Sequence, residues 1–154
     1  MAINFGYGNI FDDQSEAIIN PVNTVGVMGA GLALQFTINY PQMFLEYKKA
    51  CQQGELQIGK MQFISVLNDR VMGGHQWVVN FPTKIHWRDK SQLHYISMGL
   101  FTLVKNLTER NIRSVAIPAI GCGCGQLVWR DVKSLIITAF ADSDITVNVY
   151  EPYA

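Results

Sequence analysis

Lys84 stands in the segment Phe81-Pro-Thr-Lys-Ile-His-Trp-Arg-Asp-Lys90, where Arg88 and Lys90 add positive charge against one carboxylate, Asp89. A lysine amine can attack an electron-poor carbon, or, when protonated, orient or protonate a leaving group. His86 and Trp87 lie among these cations, and cations interleaved with aromatics can stack nucleobases and neutralise phosphates. A solvated loop in which Trp87 closes a small apolar cluster has the same composition. Two glycine-rich segments offer a different chemistry: Asn20-Pro-Val-Asn-Thr-Val-Gly-Val-Met-Gly-Ala-Gly31 and Pro118-Ala-Ile-Gly-Cys-Gly-Cys-Gly125. Each joins an apolar run to a helical pattern. Glycines let backbone N–H groups approach an anion, and a helix N-terminus adds partial positive charge. Tight turns use the same residues, and the first segment is neither a Walker A loop nor a clean Gly-x-Gly-x-x-Gly. Two such loops in one small sheet suggest a diphosphate held between two helix N-termini.

The cysteines, Cys51, Cys122 and Cys124, are odd in number, and an i,i+2 pair is poorly placed for a disulfide. Free thiols suit a reducing compartment, so the cytoplasm is expected. Zinc would need four ligands, and Cys122 and Cys124 lack finger spacing to His75, His86 or His94. Neither metal nor cofactor is expected. The opening Met-Ala-Ile-Asn-Phe-Gly lacks the basic start and apolar stretch of a signal peptide. Nor does the chain hold an apolar run of about 18 residues, so no membrane contact is expected.

These loops need a framework. The 154 residues are 49% hydrophobic and 16% charged, with twelve basic residues cancelling twelve acidic ones. That composition excludes a disordered chain and a wholesale polyanion binder, and the length suits one domain over residues 1–154. Apolar runs bounded by Gly, Pro or Asn predict strands at Ala17–Pro21, Gln62–Leu67, Trp77–Phe81, Ser114–Pro118 and Thr146–Tyr150, with Ile3–Phe5 as a short edge strand. Helices are predicted over Gly29–Asn39, from Pro41 to Gln53-Gly54, from Ser91 (as N-cap) to Glu109, and over Arg130–Ala141. The order β-β-α-α-β-β-α-β-α-β implies an α/β fold: a mixed sheet with helices on both faces and ligands beyond the carboxyl ends of its strands.

Taken together, Asn20-Pro-Val-Asn-Thr-Val-Gly-Val-Met-Gly-Ala-Gly-Leu-Ala-Leu-Gln-Phe36, Phe81-Pro-Thr-Lys-Ile-His-Trp-Arg88 and Ile120-Gly-Cys-Gly-Cys-Gly-Gln-Leu-Val-Trp129 resemble macrodomains. Within that family they are similar to the DarG-type branch of DNA ADP-ribosyl glycohydrolases. The resemblance runs in order from Gly8-Asn9-Ile10 to Val149-Tyr150-Glu151-Pro152. It implies a three-layer α/β/α macrodomain with a mostly parallel central sheet, binding ADP-ribose without a metal.

By that resemblance Asn9 and Ile10 lie near adenine, where Asn9 replaces the family's aspartate and can accept without charge. Tyr150 is a candidate to flank the base. Asn23 faces the distal ribose, with Asn20 near it. Gly29, Ala30 and Gly31 approach the diphosphate from one side; Gly121, Cys122, Gly123, Cys124 and Gly125 approach it from the other. Lys84 matches the lysine that acts at the anomeric carbon of the distal ribose, as nucleophile or as acid. Relatives acting on acidic protein side chains carry an aspartate where Gly125 stands, so the resemblance favours DNA. His86, Trp87 and Arg88 are then expected to contact an unpaired strand.

The resulting expectation is a monomeric enzyme that removes ADP-ribose from a nucleobase, thymidine in single-stranded DNA. Rival readings are a hydrolase of ADP-ribosylated protein or O-acetyl-ADP-ribose, and a non-catalytic ADP-ribose reader. Antitoxins of this branch carry a further C-terminal domain, so a chain ending at Ala154 is expected to reverse a modification rather than block a toxin by binding.

Overall fold

The computed structural model describes residues 2–66 and 74–152. Strands β1 (Ala2–Gly6), β2 (Ala17–Asn23), β3 (Gln62–Ser65), β4 (Trp77–Lys84), β5 (Ser114–Ile117) and β6 (Thr146–Tyr150) form one sheet in the order β1-β6-β5-β2-β4-β3. All neighbours are parallel except β3, which runs antiparallel to β4 at the edge. Helices α1 (Gly31–Asn39) and α2 (Pro41–Gln52) follow β2, α3 (Leu93–Glu109) follows β4, and α4 (Trp129–Phe140) follows β5. A short 3-10 turn at Ile10–Asp12, not foreseen in the sequence, links β1 to β2.

The central strands are buried on both faces, so their apolar residues run on without alternation. Ala17, Ile19, Val79 and Phe81 pack with Leu100 and Leu103 of α3 and Val132 and Ile136 of α4. From the other face Ile18, Val22 and Val78 meet Phe36 of α1 and Met43 and Tyr47 of α2. Two apolar layers enclose the sheet, which is the three-layer arrangement the sequence implied.

Two differences from the sequence reading bear on the site. Prolines suggested that β2 stops at Pro21 and β4 at Phe81, yet the strands continue to Asn23 and Lys84. Their ladder remains parallel and then shifts register between Val22 and Asn23, so the missing proline donors fall next to a bulge. There the Thr83 hydroxyl reaches the Val22 carbonyl at 3.4 Å, supplying a donor to an acceptor of the other strand. Ser91 does not cap α3. The cap position is Gln92, and the Ser91 hydroxyl instead donates to the Thr83 carbonyl, pinning the chain just beyond β4. The remaining helix ends shift by one or two residues, as fraying ends do. The predicted end of the third strand, Leu67, lies outside the described residues.

Packing is tightest where α3 crosses β4. A methyl group at Gly99 would overlap the ring of Phe81. We expect Gly99→Ala to destabilise the fold by about 1–3 kcal/mol through overpacking, despite the helix propensity of alanine. Urea unfolding of this variant, alone and combined with Phe81→Leu, checks the source of the loss: the second substitution should recover part of it.

Candidate active site

A cleft of about 660 Å³ opens beyond the carboxyl ends of the central strands. Asn23, Lys84 and Trp87 line it, together with Gly29–Gly31, Gly121–Gly125 and Pro152. A smaller cavity of about 370 Å³, bordered by Arg113 and Asp144, lies by the amino ends of β5 and β6 and contains none of these residues.

The register shift at the end of the β2–β4 ladder makes Asn23 the partner of Lys84. Both side chains are nine-tenths buried or more. The Lys84 amine donates to the Trp87 carbonyl at 2.9 Å, its one hydrogen bond among the described residues. Among the described residues the sole ion pair is Lys133–Glu151, so Lys84 faces no carboxylate. Burying an ammonium is costly even when it is paired. A lysine held this way, in the wall of an open cleft, is poised for an incoming group. Asn23 organises the loop beside it. Its Nδ2 donates to Val27 O at 2.8 Å, and its Oδ1 accepts from Val25 N at 3.1 Å, Val27 N at 3.4 Å and the Tyr47 hydroxyl at 2.8 Å.

Both glycine loops line the cleft. Helix α1 begins at Gly31 with φ +58°, a left-handed conformation that favours glycine, and no side chain caps it. Its first-turn N–H groups therefore lack intrahelical acceptors. In the second loop Cys122 N, Gln126 N and Leu127 N bond within the loop, while Gly125 O accepts from Ser91 N at 2.9 Å. Among the described residues the N–H groups of Gly123, Cys124 and Gly125 take no part in these bonds. A Cβ on Gly125 would lie 2.5 Å from Gly121 O and 2.9 Å from Ser91 Cβ. Position 125 thus has no room for a side chain. Burial pushes the Cys122 thiol up to about 11, so it stays protonated near neutral pH.

Loop 85–89 closes on itself beside the lysine. His86 N donates to Asp89 Oδ2 at 3.1 Å, and Arg88 N donates to His86 Nδ1 at 3.1 Å. The Arg88 guanidinium lies 4.7 Å from the Trp87 ring, whose centroid is 5.3 Å from that of His86. Trp87 is 46% exposed and borders the cleft, whereas His86 and Arg88 lie outside its wall.

The residues expected near adenine are set apart from that wall. Asn9 caps the 3-10 turn, accepting Phe11 N on its Oδ1 at 3.0 Å, and Ile10 is buried in the core. Tyr150 donates to Asp13 Oδ2 at 2.7 Å, with its ring edge over Gly8. Burial opposes ionisation of Asp13, but hydrogen bonds from Ser15, Tyr150 and Asn148 outweigh it and hold the carboxyl below its usual range. Asn20 is fully buried under α1 and α2, donating to Asn80 Oδ1 at 2.9 Å in a ladder that continues to Gln62. It does not reach the cleft wall.

Residues 19–136 match the Macro domain family, and the chain belongs to it. A curated relative from Mycobacterium tuberculosis, named DNA ADP-ribosyl glycohydrolase, is 45% identical over 151 residues, covering 97% of this chain and 42% of that protein. The chain therefore spans about two fifths of the length of the curated relatives it matches. The solved macrodomain of Mycobacterium tuberculosis DarG superposes with a TM-score of 0.92 at 44% identity, covering 98% of each chain. Thermosipho africanus DarTG, solved in complex with ADP-ribose, matches with a TM-score of 0.90 at 33% identity, covering 98% of this chain and 42% of that one.

Sequence reasoning passed over Val27, Met28, Thr83 and Pro152, which also line the cleft. Val27 and Met28 sit inside the first glycine segment, and only their side-chain types drew attention away from them. Pro152 is carried there by the stretch after β6, tied down where Glu151 accepts from Trp129 Nε1 at 3.1 Å and pairs with Lys133 at 2.9 Å.

Two outcomes follow from this geometry. Gly125→Asp should lower the thermal midpoint and weaken anion binding, because the new side chain must displace Gly121 or Ser91; a thermal melt with and without ADP-ribose checks both. Asp13 is depressed in the folded state, so its contribution is complete above the unfolded value of 3.8 and is lost as pH falls below it. Asp13→Asn should therefore flatten the fall of the thermal midpoint below about pH 4.

Proposed function

We propose that this chain is an ADP-ribosyl glycohydrolase acting on DNA. It releases ADP-ribose from a modified nucleobase, thymidine in a single strand, and needs neither metal nor cofactor. The observation that carries the reading is Lys84: a buried amine with one backbone acceptor, set beside Asn23 between two loops rich in unpaired N–H groups. Such N–H groups suit a diphosphate, and the ADP-ribose complex of the Thermosipho relative supports that ligand. The names of the relatives support DNA as the carrier. The lack of room at Gly125 speaks against the aspartate chemistry used on protein esters.

In this reading the glycine loops hold the diphosphate and Asn23 places the distal ribose. Lys84 then acts at the anomeric carbon. The bond from that carbon to the base breaks, its electron pair leaves with the base, and water supplies a hydroxyl to the carbon and a proton to the base. The protein contributes positioning and oriented donors, which act more strongly away from bulk water. Trp87, which borders the cleft, and Arg88 packed on its ring offer a stacking surface to the neighbouring unpaired bases. The overall neutral charge leaves recognition to the ADP-ribose and these few contacts. Free thiols at all three cysteines support work in the cytoplasm.

The test is release of ADP-ribose from a thymidine-ADP-ribosylated single-stranded oligonucleotide. Wild type should turn over repeatedly, and Lys84→Ala should lose about 100-fold or more in rate while keeping its ADP-ribose affinity within a few-fold. Equal rates would remove Lys84 from the chemistry. Binding without release by wild type would make the protein a reader instead.

A further inference from the structure

Tyr47, at the centre of α2, is fully buried and belongs to neither glycine loop nor the cleft wall. Its hydroxyl lies 2.8 Å from Asn23 Oδ1 and 2.9 Å from Asn23 O. Gly26, with φ +89°, lets the loop settle on α2, where an added Cβ would already touch Cys51 and Lys48. The loop that carries Asn23 is thus fastened from beneath by one phenol. Burial first, and then the neighbouring Cys51 thiol, push the Tyr47 pKa well above the ordinary phenol value, so the group remains an O–H donor at any working pH.

This fastening fixes the polarity of the Asn23 amide. Val25 N–H and Val27 N–H can only donate, so the oxygen must face them; Val27 O can only accept, so the nitrogen must face it. Tyr47 adds a third donor, its single O–H shared between that oxygen and the Asn23 carbonyl. With Oδ1 saturated and one Nδ2 hydrogen spent on Val27 O, the amide has one N–H left, on a side chain that lines the cleft.

We propose that Tyr47 is a positioning residue: through Asn23 Oδ1 it commits the remaining Asn23 N–H to an acceptor oxygen of the ligand, a hydroxyl of the distal ribose. This rests on the proposed ADP-ribose chemistry of the cleft. Tyr47→Phe keeps the ring in the core and removes only the donor. The loop stays in place through Val25 N–H and Val27 N–H, but the amide is freer to tilt.

The experiment is a double-mutant cycle read by calorimetric ADP-ribose affinity and by kcat and KM for oligonucleotide release, with a thermal melt of every variant. Tyr47→Phe should weaken ADP-ribose binding about tenfold, as the loss of one buried hydrogen bond would. In an Asn23→Ala background the same substitution should change affinity less than about twofold, because the side-chain amide it positions is gone and only the main-chain Asn23 O remains as its acceptor. In an Asn23→Asp background, which keeps an acceptor oxygen but has no N–H to offer the ligand, Tyr47→Phe should likewise change affinity less than about twofold. An equal loss in wild-type and Asn23→Ala backgrounds, or no loss in wild type, overturns the proposal. So does a Tyr47→Phe protein that melts below the assay temperature, since the phenol would then hold the fold rather than the site. Failure of wild type to bind or release ADP-ribose would instead strike at the functional reading itself.

Discussion

The parallel pairing of β2 with β4, and the register shift that ends it, is the constraint on which the cleft depends. Up to Val22 the two strands run in step, with Asn20 opposite Asn80 and Pro21 opposite Phe81. Beyond that point two residues of β4 face one of β2, and the extra residue, Thr83, spends its hydroxyl and its carbonyl on structure. Lys84 is thereby delivered alongside Asn23 rather than one position short. Had the ladder stayed regular, alternation would have sent the lysine toward the opposite face of the sheet. The packing of Phe81 against Gly99 then anchors β4 under α3, so the bulge has a fixed base.

Around that pair the protein uses few charges. The candidate anion site consists of backbone N–H groups at one helix start and one glycine loop, and among the described residues the one cation in the cleft wall is Lys84. Backbone donors are fixed by the fold and cost little to reorganise as charge shifts during a reaction. A neutral chain with this arrangement would hold the proposed anionic ligand by geometry more than by field. The same economy is visible at Gly125, where the absence of a side chain lets the second loop close on Ser91.

Much of this was legible in the residues themselves. The strand and helix order followed from apolar runs and their punctuation, and both glycine loops declared themselves through composition. What escaped was local. Pro21 and Phe81-Pro82 read as strand ends because a proline withholds a ladder donor, and only the paired structure reveals a bulge that makes the loss harmless. Asn20 and Asn23 look alike in sequence, yet one supports a buried amide ladder and the other borders the cleft. The 3-10 turn that Asn9 caps is a single turn, too short to carry a periodic signal. Tyr47 sits amid an amphipathic helix, where an aromatic core residue and one with a working hydroxyl have the same spacing.

The amine of Lys84 is held by a carbonyl of the main chain, not by a side chain of loop 85–89. Any residue at position 87 would offer the same oxygen. The surface of the loop is therefore free to diverge, trading one set of exposed rings and cations for another, without loosening the group beneath it. On the proposed function, recognition and reactivity would be stacked in adjacent residues yet free to evolve on separate schedules.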